Sequence, residues 1–533
     1  MNTRTRTDVL LLVAFCGFLF FYGLGSFGLL GADEPRYAQV AREMLERRDW
    51  ITPTLQGKPW LEKPVLYYWQ AMVAYSVAGV SDRAARLPAA VDAVLMIAAL
   101  YLFLRRFRPG SEIDGALIAA GCAGTIGFAR GASTDMPLAA MFAIALLGWY
   151  AWYEAKTRIG LAVFYLFLAL ATLAKGPVAL FLAGAILLIF VAMKRDWRAL
   201  PGTLWPPGIV LFLAVALPWY VAVQLRNPEF LRVFILQHNL ARFGQNLYHH
   251  RQPFWFYIPV LLLALMPWTL WLILAVVERL RLIWSEKKEA FATAEDSWQL
   301  FLLIWLLVPV LFFGASQSKL PGYILPSLPA GALLVSEYLR TRRREDIRVS
   351  PWLAGTHGVL CGLLVFAALA APGIQMNHRL VPGTGTYVAA GVAVLVMLGI
   401  AAVLARVGLR LLRPATMIPI VVGVAALLRL AAPLVDAAQS ARPIAQSIQA
   451  FSHEAVPVAL YHASRQQEYG LEFYLNRRAL RYEGGQAPRE GHVLVVAQNS
   501  QAQFGEFLRG RKVSYLTSIP AQKLELYWVG PSQ

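Results

Sequence analysis

An acidic pair, a basic residue and a tyrosine directly follow the first apolar run of the chain. They are Asp33, Glu34, Arg36 and Tyr37. Charged side chains at the edge of hydrocarbon are expensive to place, so they indicate a functional site. The segment predicts a helix with Pro35 in its first turn, with Asp33 and Tyr37 on one face and Arg36 beside them. A helix cap with a surface salt bridge is the structural alternative.

A second carboxylate, Asp135, is predicted at the outer end of a different helix. Its presence favours a functional role for Asp33 over a simple cap. Cationic residues are expected on the same side, three of them lysines beside helix breakers. They are Lys63, Lys175, Lys319 and Arg242. Such residues could form a phosphate cradle through charge-assisted hydrogen bonds. For Lys63 the alternative is a lysine that reaches from the membrane edge to water.

Glu62 and His238 are candidate ligands for a divalent metal such as zinc. Two ligands from separate loops are a weak signal, because a typical zinc site has three or four. A hydrogen-bonded histidine is the alternative. The sequence has no HExxH, CxxC or GxSxG motif and no P-loop. Serine-hydrolase and ATPase chemistry therefore have no support.

Composition indicates a polytopic membrane protein. The 533 residues are 58% hydrophobic and 15% charged, with a mean hydropathy of +0.52, and the apolar residues form long runs. The net charge of +18 comes from basic clusters between these runs, a pattern typical of cytoplasmic loops rather than of nucleic-acid binding. The three cysteines lie inside apolar runs, so no disulfide framework is expected.

Hydropathy predicts about thirteen membrane spans. They cover residues 8–28, 84–107, 113–130, 136–153, 160–173, 178–193, 207–224, 256–277, 298–315, 322–339, 352–372, 384–405 and 415–432. Basic clusters then fall on every second loop, which predicts a cytoplasmic N terminus and an outer C terminus. If the apolar run 65–80 crossed the membrane, the later basic clusters would lie on the outer side, against this pattern. The run is predicted to lie at the outer interface, helped by Tyr67, Tyr68 and Trp69.

After residue 432 the long apolar runs stop. Short strand-like and helical pieces alternate instead, which predicts a small α/β domain over residues 433–533, on the outer side of the membrane. It has no cysteine and no glycine-rich phosphate loop. The candidate catalytic residues are therefore expected in the first part, residues 1–432, whose first outer loop is predicted over residues 31–83.

Motifs between residues 31 and 330 resemble, in order, those of the bacterial 4-amino-4-deoxy-L-arabinose lipid A transferases, within the protein O-mannosyltransferase-like C-type glycosyltransferases. The matching segments are ADEPRYAQVAREM, KPWLEKPVLYYW, ARGASTDMPL, LAKGPVAL, FILQHNLARFGQN followed by QPFWFYIPVLLL, and SKLPGYILPSLPA. The HNLARF and SKLPGY segments are more specific to the aminoarabinose branch than the acidic motif is. The C-terminal domain agrees only in type and position.

The resemblance implies a mainly α, polytopic fold with a periplasmic C-terminal α/β domain. It implies an undecaprenyl phosphate donor carrying one sugar, lipid A as acceptor, and the bacterial inner membrane as the location. Asp33 and Asp135 would be catalytic carboxylates near the sugar, and Lys63 and Arg242 would hold the donor phosphate. The remaining implied roles are donor binding by Arg36, Tyr37, Lys175, Lys319 and Tyr323, and metal binding by Glu62 and His238. Inversion at the anomeric carbon by one in-line displacement is predicted.

Three alternatives stay open at this stage. The same fold and donor type could move another sugar to a protein or another glycan, because sugar specificity depends on pocket shape. A lipid or sugar transporter would use its intramembrane charges to line a path. Here the charges are predicted at one face and no internal repeat is present, which disfavours transport. A membrane scaffold would not need so many outer lysines and carboxylates. The oligomeric state is open, and a monomer is compatible with the sequence.

Overall fold

Helices make up most of the molecule, and a small sheet follows them near the C terminus. The computed structural model describes residues 3–234, 252–285, 293–345, 349–377, 383–451, 456–484, 487–498, 500, 508 and 510–532. The helices before residue 235 are α1 Thr3–Cys16, α2 Asp33–Glu46, α3 Leu66–Ala78, α4 Asp82–Phe107, α5 Glu112–Ala120, α6 Ala123–Ala129, α7 Asp135–Ala155, α8 Arg158–Lys175, α9 Val178–Lys194, α10 Ala199–Thr203 and α11 Pro206–Arg226. The later helices are α12 Tyr257–Ala264, α13 Thr269–Ser285, α14 Ala294–Ala315, α15 Leu328–Arg344, α16 Pro351–Asn377, α17 Thr384–Val407, α18 Leu412–Ala426, α19 Ala432–Gln439, α20 Arg442–Phe451 and α21 Arg465–Leu475.

The length and hydropathy of the helices indicate a membrane protein. Among the described residues, seven helical stretches are long and apolar enough to cross a bilayer, or eight if α5 and α6 count as one bent span. They include α4, α7, α8, α11, α14, α16 and the stretch from α17 to α19. Each of the other predicted spans also coincides with helix, but in shorter or broken pieces. The total of about thirteen spans therefore stays a prediction.

Two predicted spans are broken rather than continuous. The span predicted over 113–130 forms α5 and α6, which meet at an angle of 63°. The span predicted over 256–277 forms α12 and α13, separated at Met266 and Pro267. The two breaks meet, because the Ala123 amide donates to the Met266 carbonyl at 3.0 Å. Each break thus supplies a hydrogen-bond partner that an interrupted helix inside a membrane requires.

The basic clusters predicted to be cytoplasmic come together at one end of the bundle. Arg108 forms a two-point ion pair with Glu154, with distances of 2.8 Å. Asp114 accepts from Arg413 at 2.7 Å and also pairs with Arg343. The first contact joins the end of α4 to α7, and the second set joins α5 to α15 and to the start of α18. All of them lie on the side that the charge pattern assigns to the cytoplasm.

Helix α3 occupies the run 65–80, as predicted, but its tyrosines do not act as the expected interfacial anchors. Tyr67 and Tyr68 are fully buried in the protein. Their rings form an edge-to-face pair with centroids 5.9 Å apart. The prediction for these two side chains was wrong because aromatic residues suit a protein core as well as a membrane interface.

The C-terminal sheet has five strands, all within residues 433–533, where the α/β domain is predicted. A two-stranded ribbon, β1 Thr54–Leu55 and β2 Lys58–Pro59, precedes it in the chain. The sheet strands are β3 Val458–Tyr461, β4 Ala479–Arg481, β5 His492–Ala497, β6 Val513–Ile519 and β7 Leu524–Val529. Their order is β4-β3-β5-β7-β6, with β4, β3 and β5 parallel and β7 antiparallel to both of its neighbours. Apolar residues of α20 and α21 pack on one face.

Candidate functional site

Helix α2 positions the acidic motif at its N-terminal end. Asp33 and Glu34 lie in its first turn, where the partial positive charge of the helix end favours carboxylates. Arg36 Nη2 lies 2.5 Å from Asp33 Oδ1, which confirms the predicted side-by-side placement. The Asp33 side chain is 57% exposed, whereas Arg36 is 14% exposed. Asp33 is therefore open to a ligand, and Arg36 is the buried member of the pair.

Tyr37 lies behind this ion pair in an aromatic cluster. Its ring centroid is 6.2 Å from that of Tyr67 and 6.3 Å from that of Tyr68. Burial raises the pKa of Tyr37 above its ordinary value, and the charges of Asp33 and Asp135 act in the same direction. The hydroxyl is therefore neutral at physiological pH and able to donate a hydrogen bond.

Asp135, Lys175 and Tyr323 come together from three separate segments. Asp135 begins α7, Lys175 ends α8, and Tyr323 lies in the short 3₁₀ helix Pro321–Ser327. Lys175 forms an ion pair with Asp135, and its Nζ lies 4.9 Å from the centroid of the Tyr323 ring. Gly176, with φ of +92°, ends α8 at the lysine. A side chain could not adopt this conformation easily, which explains the Lys-Gly sequence.

The two groups belong to one site. The charge of Asp135 influences the Tyr37 hydroxyl, as do Asp33 and Arg36. Tyr37 thus lies within electrostatic reach of both ion pairs, and Glu34 of α2 accepts from the Ala132 amide, three residues before Asp135, at 2.8 Å. The structure brings six of the predicted residues together, and their roles in binding or catalysis stay predictions. They are Asp33, Arg36, Tyr37, Asp135, Lys175 and Tyr323.

Glu62 and Lys63 lie next to the same cluster. They form a bend immediately before α3, and both are half-buried. Burial disfavours the charged form of Arg36 and so lowers its pKa. The nearby side chains of Tyr37, Asp33 and Glu62 outweigh this effect and raise the pKa of Arg36 above its ordinary value. Glu62 is therefore close enough to act on Arg36 electrostatically. Its neighbour Lys63 is half-buried as well, and phosphate binding by Lys63 stays a prediction.

Lys319 is held differently from the other predicted phosphate ligands. Its ammonium donates to the carbonyl oxygens of Ser316 and Gln252, and its side chain is buried. Burial lowers the pKa of Lys319. These bonds brace the turn after α14 against the start of the segment that leads into α12. Donor binding by Lys319 stays a prediction.

Two predicted site residues fall outside the described residues. Arg242, the second candidate phosphate ligand, and His238, the second candidate metal ligand, both lie between residues 235 and 251.

Sequence reasoning missed the contact that joins the two halves of the site. Glu34 Oε2 accepts from Arg86 Nη2 at 2.7 Å and from the Leu30 amide at 2.7 Å. Its other oxygen accepts from the Ala132 amide at 2.8 Å. Arg86 is fully buried. The carboxylate therefore ties the start of α2 to the segment that leads into Asp135.

Arg86 also has a role that its sequence context concealed. Its guanidinium donates to the carbonyls of Leu24, Phe27 and Gly28. An arginine inside a predicted apolar span was the available signal, because such a residue requires a partner. Sequence alone could not name Glu34 as that partner.

Three buried polar atoms at this site have no hydrogen-bond partner among the described residues. They are Arg36 Nε, Trp60 Nε1 and the Tyr68 hydroxyl. Arg36 connects them, because its Cζ lies 5.1 Å from the Trp60 ring centroid and its charge acts on Tyr68. Buried polar groups are almost always satisfied. A polar ligand beside Arg36 would supply the missing partners.

Comparison with known proteins gives this geometry a context. Residues 62–221 match the family model of dolichyl-phosphate-mannose-protein mannosyltransferases. The undecaprenyl phosphate-α-4-amino-4-deoxy-L-arabinose arabinosyl transferase of Pseudomonas aeruginosa strain UCBPP-PA14 is 33% identical over 375 residues, 69% of this chain and 66% of that protein. This chain belongs to the same glycosyltransferase family. The family expected from the motifs is thereby confirmed. A relative with the same description from Enterobacter sp. strain 638 is 29% identical over 65% of this chain and 62% of its own length.

Solved structures show the same fold over nearly the whole chain. The crystal structure of ArnT from Cupriavidus metallidurans bound to undecaprenyl phosphate has a TM-score of 0.80 at 22% identity, covering 98% of this chain and 97% of that one. The archaeal oligosaccharyltransferase AglB from Archaeoglobus fulgidus has a TM-score of 0.52 at 11% identity, covering 100% and 74%. The predicted fold class is confirmed. In the sequence comparison, the aligned part of this chain covers 66% of the length of the P. aeruginosa relative, which is just under two thirds.

Proposed function

We propose that this protein transfers 4-amino-4-deoxy-L-arabinose from undecaprenyl phosphate to a phosphate of lipid A. The observation that carries the proposal is the proximity of the Asp33–Arg36 pair to the Asp135–Lys175 pair, because Glu34 of α2 accepts from the Ala132 amide, three residues before Asp135, at 2.8 Å. The family relatives are named undecaprenyl phosphate-α-4-amino-4-deoxy-L-arabinose arabinosyl transferases, which supports the donor. A site that alternates carboxylates and cations suits a substrate that has both a sugar amine and a phosphate.

The reaction breaks the bond between the anomeric carbon and the oxygen of the donor phosphate. A phosphate oxygen of the acceptor forms the new bond, and undecaprenyl phosphate leaves with the electron pair. Negative charge grows on the leaving phosphate, where Lys63 and Arg242 would stabilise it. One well-placed donor of this kind contributes about 3–4 kcal/mol to transition-state stabilisation in other enzymes.

The carboxylates have a role other than proton removal. The acceptor phosphate is already anionic and requires no general base. Asp33 is exposed, and its partner Arg36 is buried, so its carboxylate is available to hold the sugar amine. A single in-line displacement would invert the anomeric centre. A product with retained configuration, measured by NMR of the transferred sugar, would contradict this mechanism.

An apolar cavity beside the site supports lipid substrates. It has a volume of about 370 Å³ and reaches from Glu34 and Arg130 down to Ile420 of α18. Its walls are mainly aliphatic side chains of α6, α16 and α18. A hydrocarbon chain in this cavity would remove apolar surface from water while its head group stayed near α2.

The proposal includes an orientation in the bacterial inner membrane. The N terminus and the arginine clusters would be cytoplasmic, and the site and the C-terminal sheet would be periplasmic. The support is helix α4, which carries Arg86, the partner of Glu34, near its start and ends at the Arg108 network. Labelling of single cysteines by a membrane-impermeant reagent in intact spheroplasts, at Ser518 against Arg410, tests this orientation.

A divalent metal held by Glu62 and His238 is a further part of the proposal. Among the described residues, no group of three histidine, cysteine or carboxylate side chains could hold a metal. Glu62 alone does not fit a metal centre, so no step of the reaction is assigned to one. Elemental analysis of the purified protein tests this part. One metal ion per chain that is lost in Glu62→Gln would support it, and an active wild type without metal would overturn it.

The test of the function is a transfer assay in proteoliposomes. Undecaprenyl phosphate-aminoarabinose and lipid A are supplied, and the product is measured by mass spectrometry for the wild type and Asp33→Ala. Modified lipid A from the wild type alone is expected. A parallel reaction contains a hexose donor on the same lipid and a protein acceptor. Transfer only in that reaction would favour the rival substrate pair.

A further inference from the structure

The C-terminal region packs on the helix that carries the acidic motif. Phe473 of α21 is buried in the core of the helical part, and Tyr469 and Tyr474 pack against that core. Arg42 of α2 donates to the Phe473 carbonyl at 3.0 Å. Asn476, just after α21, donates to Glu46 at 3.0 Å. Helix α21 therefore contacts α2 along its length.

The segment immediately before α2 is also fixed by C-terminal residues. The Gly28 amide donates to Asp436 at 2.7 Å, and the Leu29 amide donates to the Tyr474 hydroxyl at 2.7 Å. A Cβ atom at Gly28 would lie 2.1 Å from Ser440 Oγ. Only glycine permits this close approach.

One C-terminal side chain reaches the proposed catalytic cluster itself. The Tyr469 ring centroid lies 5.8 Å from Cζ of Arg36. The rings of Trp60 and Tyr37 lie 5.1 and 5.2 Å from the same atom. Three aromatic rings thus surround the guanidinium that pairs with Asp33 and is also influenced by the charge of Glu62. An arginine over aromatic rings is held by cation–π attraction and loses side-chain freedom.

We propose that Tyr469 is a positioning residue, through which the C-terminal α/β domain holds Arg36 and thereby orients Asp33. The inference rests on the proposed function and assigns a role to a domain that sequence analysis left without one. Without the Tyr469 ring, the Arg36 guanidinium would have fewer contacts on the side that faces the C-terminal domain. Asp33 would then sample positions away from the substrate.

The kinetic test compares Tyr469→Ala with Tyr469→Phe. A single cation–π contact in a partly buried site corresponds to roughly a 5- to 20-fold effect on rate. We expect Tyr469→Ala to lower kcat by this factor with little change in the KM of the donor. Tyr469→Phe keeps the ring and should restore kcat. An equal loss in both variants would overturn the proposal.

A double-mutant cycle separates positioning from general stability. If Tyr469 acts through Arg36, Tyr469→Ala should have less than about a twofold effect in an Arg36→Ala background. The same fold-loss in both backgrounds would contradict the inference. Tyr515→Ala is the matched control, because Tyr515 is 58% exposed on the edge strand β6 of the same domain. It should leave kcat unchanged.

A measurement independent of transfer keeps the inference separate from the proposed function. Hydrogen–deuterium exchange of the first turn of α2 should accelerate in Tyr469→Ala and not in Tyr515→Ala. If the wild type fails to use the aminoarabinose donor while exchange accelerates, the proposed function fails and the inference stands. Unchanged exchange in Tyr469→Ala would overturn the inference whatever the substrate.

Discussion

Asp33 and Glu34 are neighbours in sequence and occupy opposite environments. Asp33 is more than half exposed and pairs with an arginine of its own helix. Glu34 is 15% exposed and pairs with the fully buried Arg86 from another helix, with two backbone amides as further donors. Every oxygen of Glu34 is engaged, while Asp33 has room for a ligand. The number of unsatisfied acceptors thus distinguishes the carboxylate suited to chemistry from the one that holds the architecture.

Glu34→Ala should have the largest effect and should act on stability. It leaves the guanidinium of Arg86 without its buried carboxylate, and removal of one partner from a buried pair costs about 3–5 kcal/mol. The expected result is a large drop in the apparent melting temperature and in the monodisperse fraction in detergent. A Glu34→Ala protein with wild-type melting behaviour would show that the contrast with Asp33 is wrong.

Asp33→Asn should act on transfer instead. The amide keeps the size of the side chain but loses the charge that would hold the sugar amine, so we expect kcat to fall roughly 100-fold, within the range for removal of one electrostatic contact in an active site. Because Asp33 is exposed, the melting temperature should change by no more than about 2 °C. Wild-type kcat in this variant would remove Asp33 from the site.

The Asp135–Lys175 pair lies between these two cases, with side chains 19% and 14% exposed. Either Asp135→Asn or Lys175→Met should lower kcat by about 10- to 30-fold, because each leaves the other charge unpaired beside Tyr323. Residues that act as a unit are not additive. The double variant should therefore be no slower than the slower single variant. A loss equal to the product of the two single losses would show that they act independently.

Glu472, in the C-terminal domain, is a third carboxylate to compare with Asp33 and Glu34. It accepts from Gln56 and from the Ala479 amide, and its other oxygen has no partner among the described residues. Burial raises the pKa of Glu472 from 4.5 to about 8. Between these pH values the folded protein binds more protons than the unfolded chain, so the free energy of unfolding falls as pH rises.

Glu472→Gln should remove this dependence. Its apparent melting temperature should equal that of the wild type near pH 5 and exceed it by about 3 °C at pH 8. Thermal unfolding of both proteins across this range provides the measurement. If the melting temperatures of the wild type and the variant instead rose by the same amount from pH 5 to pH 8, Glu472 would be ionised in the folded protein.

Local patterns predicted much of the fold and part of the site. The spacing of Asp33, Arg36 and Tyr37 predicted their common face because helix periodicity is a local property. Short strand-like pieces that alternate with helical ones predicted the C-terminal α/β domain for a similar reason. Apolar runs predicted helices, but they did not show that residues 113–130 are bent.

The remaining features depend on contacts distant in sequence. Arg86 meets Glu34 across 52 residues, and Tyr469 reaches Arg36 from a different domain. Hydropathy indicates that Arg86 needs a partner without identifying it. Tyr469 carries no such signal, because a half-buried tyrosine in a small helix is common. Lys319 had the same local pattern as Lys175, beside glycine and proline, yet bonds to backbone carbonyls.

The paired helix breaks have an evolutionary consequence. The Ala123 amide at one break and the Met266 carbonyl at the other satisfy each other in the interior. A mutation that straightened either helix would leave a polar group of the other without a hydrogen-bond partner inside the membrane region, which costs several kcal/mol. Lineages should therefore keep both interruptions or lose both together. Residues around 121–123 and 265–268 are expected to co-vary, even though they are more than one hundred residues apart in the chain.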